Sequence, residues 1–178
     1  SAYGLAAADG VMRYLEEHGV GYDTGYARVP LVCQSCIYDL GFGSASVRPD
    51  AAMGYEACED AKANHPRSGN TGAGCGAPVG KLCGMERASK SGLGIYAVRL
   101  GRLEMAAVVV VNALGDIFDP ESGKKIAGLR SEDGSGFADT REELYKLSKR
   151  TDMFTGNPTI GAVITNGKFS KAEMNKVA

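Results

Sequence analysis

The sequence is short of basic surplus, of histidine and of long apolar runs, and each shortage removes a class of function. Its 20 Lys and Arg residues face 21 Asp and Glu, a net charge of -1. The broad positive field of a general nucleic-acid binder or a polybasic membrane protein is therefore missing. No apolar stretch reaches the ~18 residues a spanning helix requires; the longest, Met105 to Val111, reads as a buried strand. The N-terminus opens directly into a helical pattern, without the layout of a signal peptide. The two histidines, His18 and His65, stand at a helix end and beside Pro66, with no Ser, Cys or acid partner in the local sequence. They read as surface residues, so a histidine-based triad has little support. Five cysteines at irregular spacing (Cys33, Cys36, Cys58, Cys75 and Cys83) are poor material for a disulfide framework and suit reduced thiols in a cytoplasmic protein. The expectation is one cytoplasmic domain over residues 1–178, with no organic cofactor and no metal.

Glycine is what the chain has in excess: 25 of 178 residues, twice the usual share of ~7%. Eight of them fall between Gly69 and Gly94, a stretch that cannot be regular helix because each internal glycine costs about 1 kcal/mol. Before it, residues 3–18 place Leu5, Ala8, Val11, Met12 and Leu15 on one helical face, with Gly19 positioned to end the helix. Val29 to Ile37 reads as a strand. Pro49-Asp50 opens a helix to about Ala63, with Met53, Ala57, Cys58 and Ala61 inward. After the glycines, Leu93–Arg99 and Leu103–Asn112 read as adjacent strands. The unalternating Val108–Val111 run predicts a strand covered on both faces. Asp116–Asp119 and Lys124–Ala127 suit a hairpin around Pro120-Glu121-Ser122-Gly123. Thr140-Arg141-Glu142-Glu143 forms a capping-box pattern for a helix to about Lys149. Thr159 to Thr165 reads as a strand, and Ser170-Lys171-Ala172-Glu173 is a second capping box. The chain starts in what looks like mid-motif and stops in mid-helix, as an internal fragment would.

Several patterns carry possible chemistry. Cys33-Gln34-Ser35-Cys36 is a CxxC, but it lies in a β-like run without a second ligand pair and reads as core thiols. GAGCGAPVGK, Gly72 to Lys81, suggests a phosphate loop yet has Cys75 and Leu82 where the Walker pattern needs glycine and Ser or Thr. It is either a turn-rich crossover with a surface lysine, or a loop whose amides approach a reacting group while Lys81 delivers a charge. Asn112 ends the most apolar strand; its amide must find partners if buried, as a structural hub or as an active-site donor. Tyr38, beside Asp39, has the same two readings.

Taken together, SAYGLAAADGVMRYLEE (1–17), RVPLV (28–32), IYDLGFG (37–43), RPDAAMGYEACEDA (48–61), GNTGAGCGAPVGK (69–81), VVVVNALGDIFDPESGKKIAG (108–128) and GNPTIGAVITNGKFSKAEMNKVA (156–178) resemble the L-aminopeptidase/D-esterase family. This family includes β-peptidyl aminopeptidases and nylon-oligomer hydrolases, and the resemblance covers essentially the whole chain. It implies an α/β fold, a layered sandwich of two β-sheets between helix layers, incomplete here at both ends. It also implies a cytoplasmic, homo-oligomeric hydrolase acting on small peptides or amides, cut from one precursor before a Ser or Thr that becomes the nucleophile. A hydroxyl needs an adjacent base. The freed α-amine, with a pKa near ~7.7–8.0, supplies it without histidine. By position, Asn157 matches the residue before the cut and Lys81 a lysine supporting the nucleophile or oxyanion. Asn112 matches an oxyanion donor and Tyr38 a tyrosine lining the site.

One departure bears on activity. Pro158 follows Asn157 where the family has its hydroxyl residue. Either the cut moves to the Pro158–Thr159 bond and Thr159 serves, or the chain stays uncut and inactive. Because side chains alternate along a strand, a one-residue slip turns the hydroxyl to the other face. The remaining readings are a non-catalytic binding or structural homologue, an acyltransferase resembling ornithine acetyltransferase and, far behind, a redox or metal protein built on Cys33 and Cys36.

Overall fold

Caps and glycines set where the elements begin and end. The computed structural model describes residues 2–147 and 158–178. They form a mixed helix and sheet structure, within which the chain divides into two compact units: Ser1–Cys36 with Gly43–Pro66, and Ile37–Phe42 with Arg67–Ala178. No helix among the described residues is long and apolar enough to cross a membrane.

In the first unit a 3-10 turn, Ala2–Ala6, leads into α1 (Ala7–Glu17). Gly19, at φ +64, stops α1 in a Schellman arrangement. Its N–H donates to the Glu16 carbonyl at 3.0 Å and that of Val20 to Leu15 at 2.8 Å. A short ribbon follows, β1 (Tyr22–Asp23) against β2 (Arg28–Val29). The strand expected to Ile37 stops at Val29, because Pro30 has no N–H to continue the ladder. Cys33 is consequently exposed and Cys36 only half-buried, not the core thiols expected, and both are free.

Asp50 caps α2 (Ala51–Ala61) as expected, accepting from the Met53 N–H at 2.9 Å. The inward face is not the expected one, since Met53, Ala57 and Ala61 are exposed and Cys58 is half-buried. The two helices meet instead through glycine. A Cβ on Gly10 would overlap the Ala51 carbonyl oxygen, and one on Gly54 that of Ala7. Backbone contact this close moves the seam onto Gly54 and leaves Leu5 and Met12 of the first face exposed. Tyr55 adds an edge-on contact to Tyr14 and a 2.6 Å hydrogen bond to Glu17.

The second unit contains β3 (Pro78–Val79), β4 (Ser89–Lys90), β5 (Leu93–Leu100), β6 (Leu103–Val111), β7 (Ile117–Phe118), β8 (Lys125–Ala127), α3 (Thr140–Lys146), β9 (Thr159–Thr165) and α4 (Lys171–Val177). The main sheet is antiparallel in the order β5-β6-β9. Its register aligns Leu93, Val110 and Ile160 on one face, against Ile37 and Ala77. Gly101, at φ +61, closes the β5–β6 hairpin as the first residue of a two-residue turn. Of the Val108–Val111 run only Val110 is buried. Cover on both faces is not seen among the described residues, and Val109 has glycines, Gly94 and Gly161, as its cross-strand neighbours.

The expected hairpin forms between β7 and β8. The cap of α3 is Asp139, one residue before the expected Thr140, accepting from the Arg141 and Glu142 N–H groups. The Thr140 hydroxyl is already committed to Asp116, at 2.5 Å. The expected end of this helix near Lys149 lies outside the described residues. Ser170 and Glu173 form their capping box in full.

Candidate active site

Where β6 ends, the next side chain, Asn112, is fully buried. A buried amide must be hydrogen-bonded, and here the partners dictate its orientation. Lys81 carries only donors, so its Nζ faces Oδ1, at 2.6 Å. The Tyr38 carbonyl only accepts, so it takes an N–H from Nδ2 at 3.0 Å. Flipping the amide would oppose like partners at both ends. The second Nδ2–H has no acceptor among the described residues. Lys81 also donates to the Asn112 main-chain carbonyl at 3.2 Å, and burial lowers its pKa below the usual lysine value. Asn112 thus joins strand β6, the segment at residue 38 and the loop carrying Lys81 in one polar centre. The Tyr38 side chain is exposed; its backbone, not its ring, is what the centre uses.

Lys81 is held by glycine chemistry just before it. Gly80 is left-handed, at φ +70, and a Cβ there would overlap the Gly128 carbonyl carbon and the Leu129 nitrogen. Its N–H donates to the Gly115 carbonyl at 2.8 Å. The Gly128–Leu129 peptide is itself gripped at both ends. Ser89 Oγ donates to its carbonyl at 2.6 Å, and its N–H donates to Asp116 Oδ1 at 2.9 Å. Asp116 Oδ2 accepts from Thr140 and pairs with Lys125 at 2.7 Å. Burial alone would raise the Asp116 pKa, but the hydrogen bonds from Lys125, Thr140 and Leu129 outweigh it and hold the carboxyl below its usual value. On the glycine-rich side, Lys90 Nζ donates to the Gly74 and Ser91 carbonyls at 2.5 and 2.7 Å.

Asn157 lies outside the described residues. Thr159 pairs with Val111 and Ile160 with the core residue Val110. Thr159 therefore projects from the face opposite Ile160 and is exposed. The ladder ends at the Thr159–Val111 pair, and Asn112 and Pro158 are the next residues beyond it on their two strands. Sequence reasoning singled out Lys81 and Asn112, which the fold brings together. It missed Asp116, Ser89, Lys90, Lys125 and Thr140. A charged residue directly after Gly115 was the one available signal, and no periodicity marks it. Among the described residues no cluster of three His, Cys, Asp or Glu side chains suits a metal ion.

A family model described as Peptidase family S58 matches residues 1–178. Uncharacterized aminopeptidases of Mycobacterium leprae and Mycobacterium tuberculosis are 37% and 38% identical over the whole of this chain and 50% and 51% of their own lengths. A 6-aminohexanoate-oligomer endohydrolase of a Kocuria species is 34% identical over the whole chain and 50% of its own length. The chain thus spans about half the length of the relatives it matches.

Proposed function

Because this chain belongs to peptidase family S58, we propose that the protein hydrolyses amide bonds, releasing N-terminal residues from small peptides or related amides, with Lys81 and Asn112 at its catalytic centre. The observation that carries this reading is the buried Asn112 amide, oriented by Lys81 at 2.6 Å and by the Tyr38 carbonyl at 3.0 Å, with its second N–H unused among the described residues. A donor fixed in a water-poor place stabilises a developing oxyanion without reorganising, and the Lys81 ammonium adds charge beside it. The nucleophile in this reading is an N-terminal hydroxyl residue released by self-cleavage within residues 157–159, its α-amine acting as base. The hydroxyl attacks the substrate carbonyl, the α-amine takes its proton and returns it to the departing amine, and water then hydrolyses the ester. The names of the relatives, aminopeptidase and oligomer endohydrolase, favour substrates with a free amine and a linear amide chain. We place the β5-β6-β9 sheet in a layered α/β sandwich of two sheets between helix layers, in a cytoplasmic homo-oligomer.

The strand register favours a second reading. Pro158, next beyond the last pair of the ladder, has no hydroxyl, while Thr159, paired with Val111, projects from the face opposite Ile160. A chain that is never cut would keep the polar centre as a binding site. Intact mass spectrometry of the full-length protein, with N-terminal sequencing and a small-amide substrate, separates the two. A fragment beginning at Thr159 together with turnover supports the hydrolase. One uncut chain without turnover supports the binding protein.

A further inference from the structure

We infer that Asp116 is a positioning residue for the Lys81–Asn112 centre, acting through the Gly128–Leu129 peptide. The inference rests on the hydrolase reading only for its catalytic consequence. Its structural part concerns how Lys81 is held.

The path is short and made of groups with no slack. Asn112 and Asp116 lie on one segment after β6, so the residue that orients Lys81 and the residue that braces its loop share a backbone. Gly115, between them, accepts the Gly80 N–H at 2.8 Å. On its other side Gly80 rests against the Gly128–Leu129 peptide, with no room for a Cβ. That peptide is fixed at its carbonyl by Ser89, at 2.6 Å, and at its N–H by Asp116, at 2.9 Å. Gly128 is equally constrained, because a Cβ there would overlap Asp116 Oδ1. The carboxylate can hold this position because its other oxygen is saturated by Lys125 at 2.7 Å and Thr140 at 2.5 Å. Its side chain is 6% exposed, so water does not compete for these bonds. Lys125 is held in turn by the Ala138 carbonyl at 2.6 Å. Burial is also the cause that lowers the Lys81 pKa. A loosened Gly80 would therefore admit water to the ammonium.

The test uses the full-length protein. D116N/K125Q removes the ion pair without changing net charge, and T140V removes one donor without touching a charge. D133N, in the surface turn at residues 131–136, is the control. Lys81 is observed by NMR through 13C-dimethylation of lysines, assigned with K81R, so its titration is read whether or not the protein turns over substrate. The expected result is a Lys81 pKa raised in D116N/K125Q, back toward the ordinary lysine value near ~10.4. T140V shifts it less and D133N leaves it in place. Where turnover is present, kcat falls roughly 10- to 100-fold while KM changes little, as a misplaced catalytic group predicts. An unchanged Lys81 titration in folded D116N/K125Q, or in folded T140V should the double variant not fold, overturns the inference and leaves Asp116 a purely structural residue. Absence of turnover in the parent would count against the hydrolase reading alone.

Discussion

Replacing Asn112 by alanine tests the polar centre most directly. The side chain is fully buried, and its amide makes two bonds: it accepts from Lys81 at 2.6 Å and donates to the Tyr38 carbonyl at 3.0 Å. Losing a hydrogen bond to a charged group costs about 1.5–3 kcal/mol, and losing the neutral one to the Tyr38 carbonyl about 0.5–1.5 kcal/mol. Lys81 keeps the residue 112 main-chain carbonyl at 3.2 Å, so the lower half of each range applies and N112A should lose about 2–3 kcal/mol. Urea unfolding of the full-length protein should show this as a lower midpoint at unchanged slope. N112D sharpens the test. It strengthens the contact to Lys81 but sets a carboxylate oxygen against the Tyr38 carbonyl. Its stability should therefore fall less than that of N112A, while the lowered Lys81 pKa turns upward beside the new negative charge. An N112A variant within about 1 kcal/mol of the parent would refute the reasoning, because that is the scale of an ordinary exposed hydrogen bond.

Three further outcomes are expected. G80A forces alanine into a left-handed conformation, a cost of about 1–2 kcal/mol, and into overlap with the Gly128–Leu129 peptide. Its thermal midpoint should fall further than that of G123A, which is also left-handed but has open space around it; equal shifts would show that Gly80 is not braced as described. P158T in the full-length protein should be cut between positions 157 and 158, as read by intact mass, and a chain that stays whole would mean that more than the hydroxyl is missing. Lys81 has a folded-state pKa below its unfolded value, so between the two the unfolded state binds more protons and stability rises with pH. K81M should lack this rise in urea midpoints on the alkaline side; a parallel rise in both proteins would assign it elsewhere.

How much of this was legible in the sequence depended on whether the deciding interaction was local. The Asp50 cap, the Gly19 stop and the Ser170–Glu173 box involve residues within five positions of one another, and pattern alone places them. Pro30 is equally visible, but the apolar composition of Val29 to Ile37 suits one strand, and the missing N–H ends it at Val29. The face of α2 failed for another reason. Hydrophobicity marks Met53 and Ala57 as inward, but the helices approach through Gly10 and Gly54, and a glycine contact leaves no trace in an apolar pattern. Thr140 lost its capping role to Asp139 because its hydroxyl is taken by a residue 24 positions away.

The candidate site shows the same division with more at stake. Composition and spacing leave Lys81 and Asn112 with a structural and a functional reading each; family resemblance favours the second, and the 2.6 Å contact gives a physical reason for their pairing. Asp116 was invisible to both, because its importance lies in a peptide 12 residues further on, reached only once β7 and β8 have folded back. Thr159 and Pro158 differ by a single position, which along a strand is the step from one face to the other. In an antiparallel ladder paired residues share a face and their neighbours take the other, so Thr159 faces with Val111 and not with the core residue Val110. A hydroxyl at position 159 is therefore no substitute for one at position 158 while the strand remains paired to Val111. Catalysis by Thr159 would require the strand start to leave its pairing after cleavage. In the proposed hydrolase, release of the chain end would then be coupled to orientation of the nucleophile, because the paired strand holds Thr159 on the face opposite Ile160.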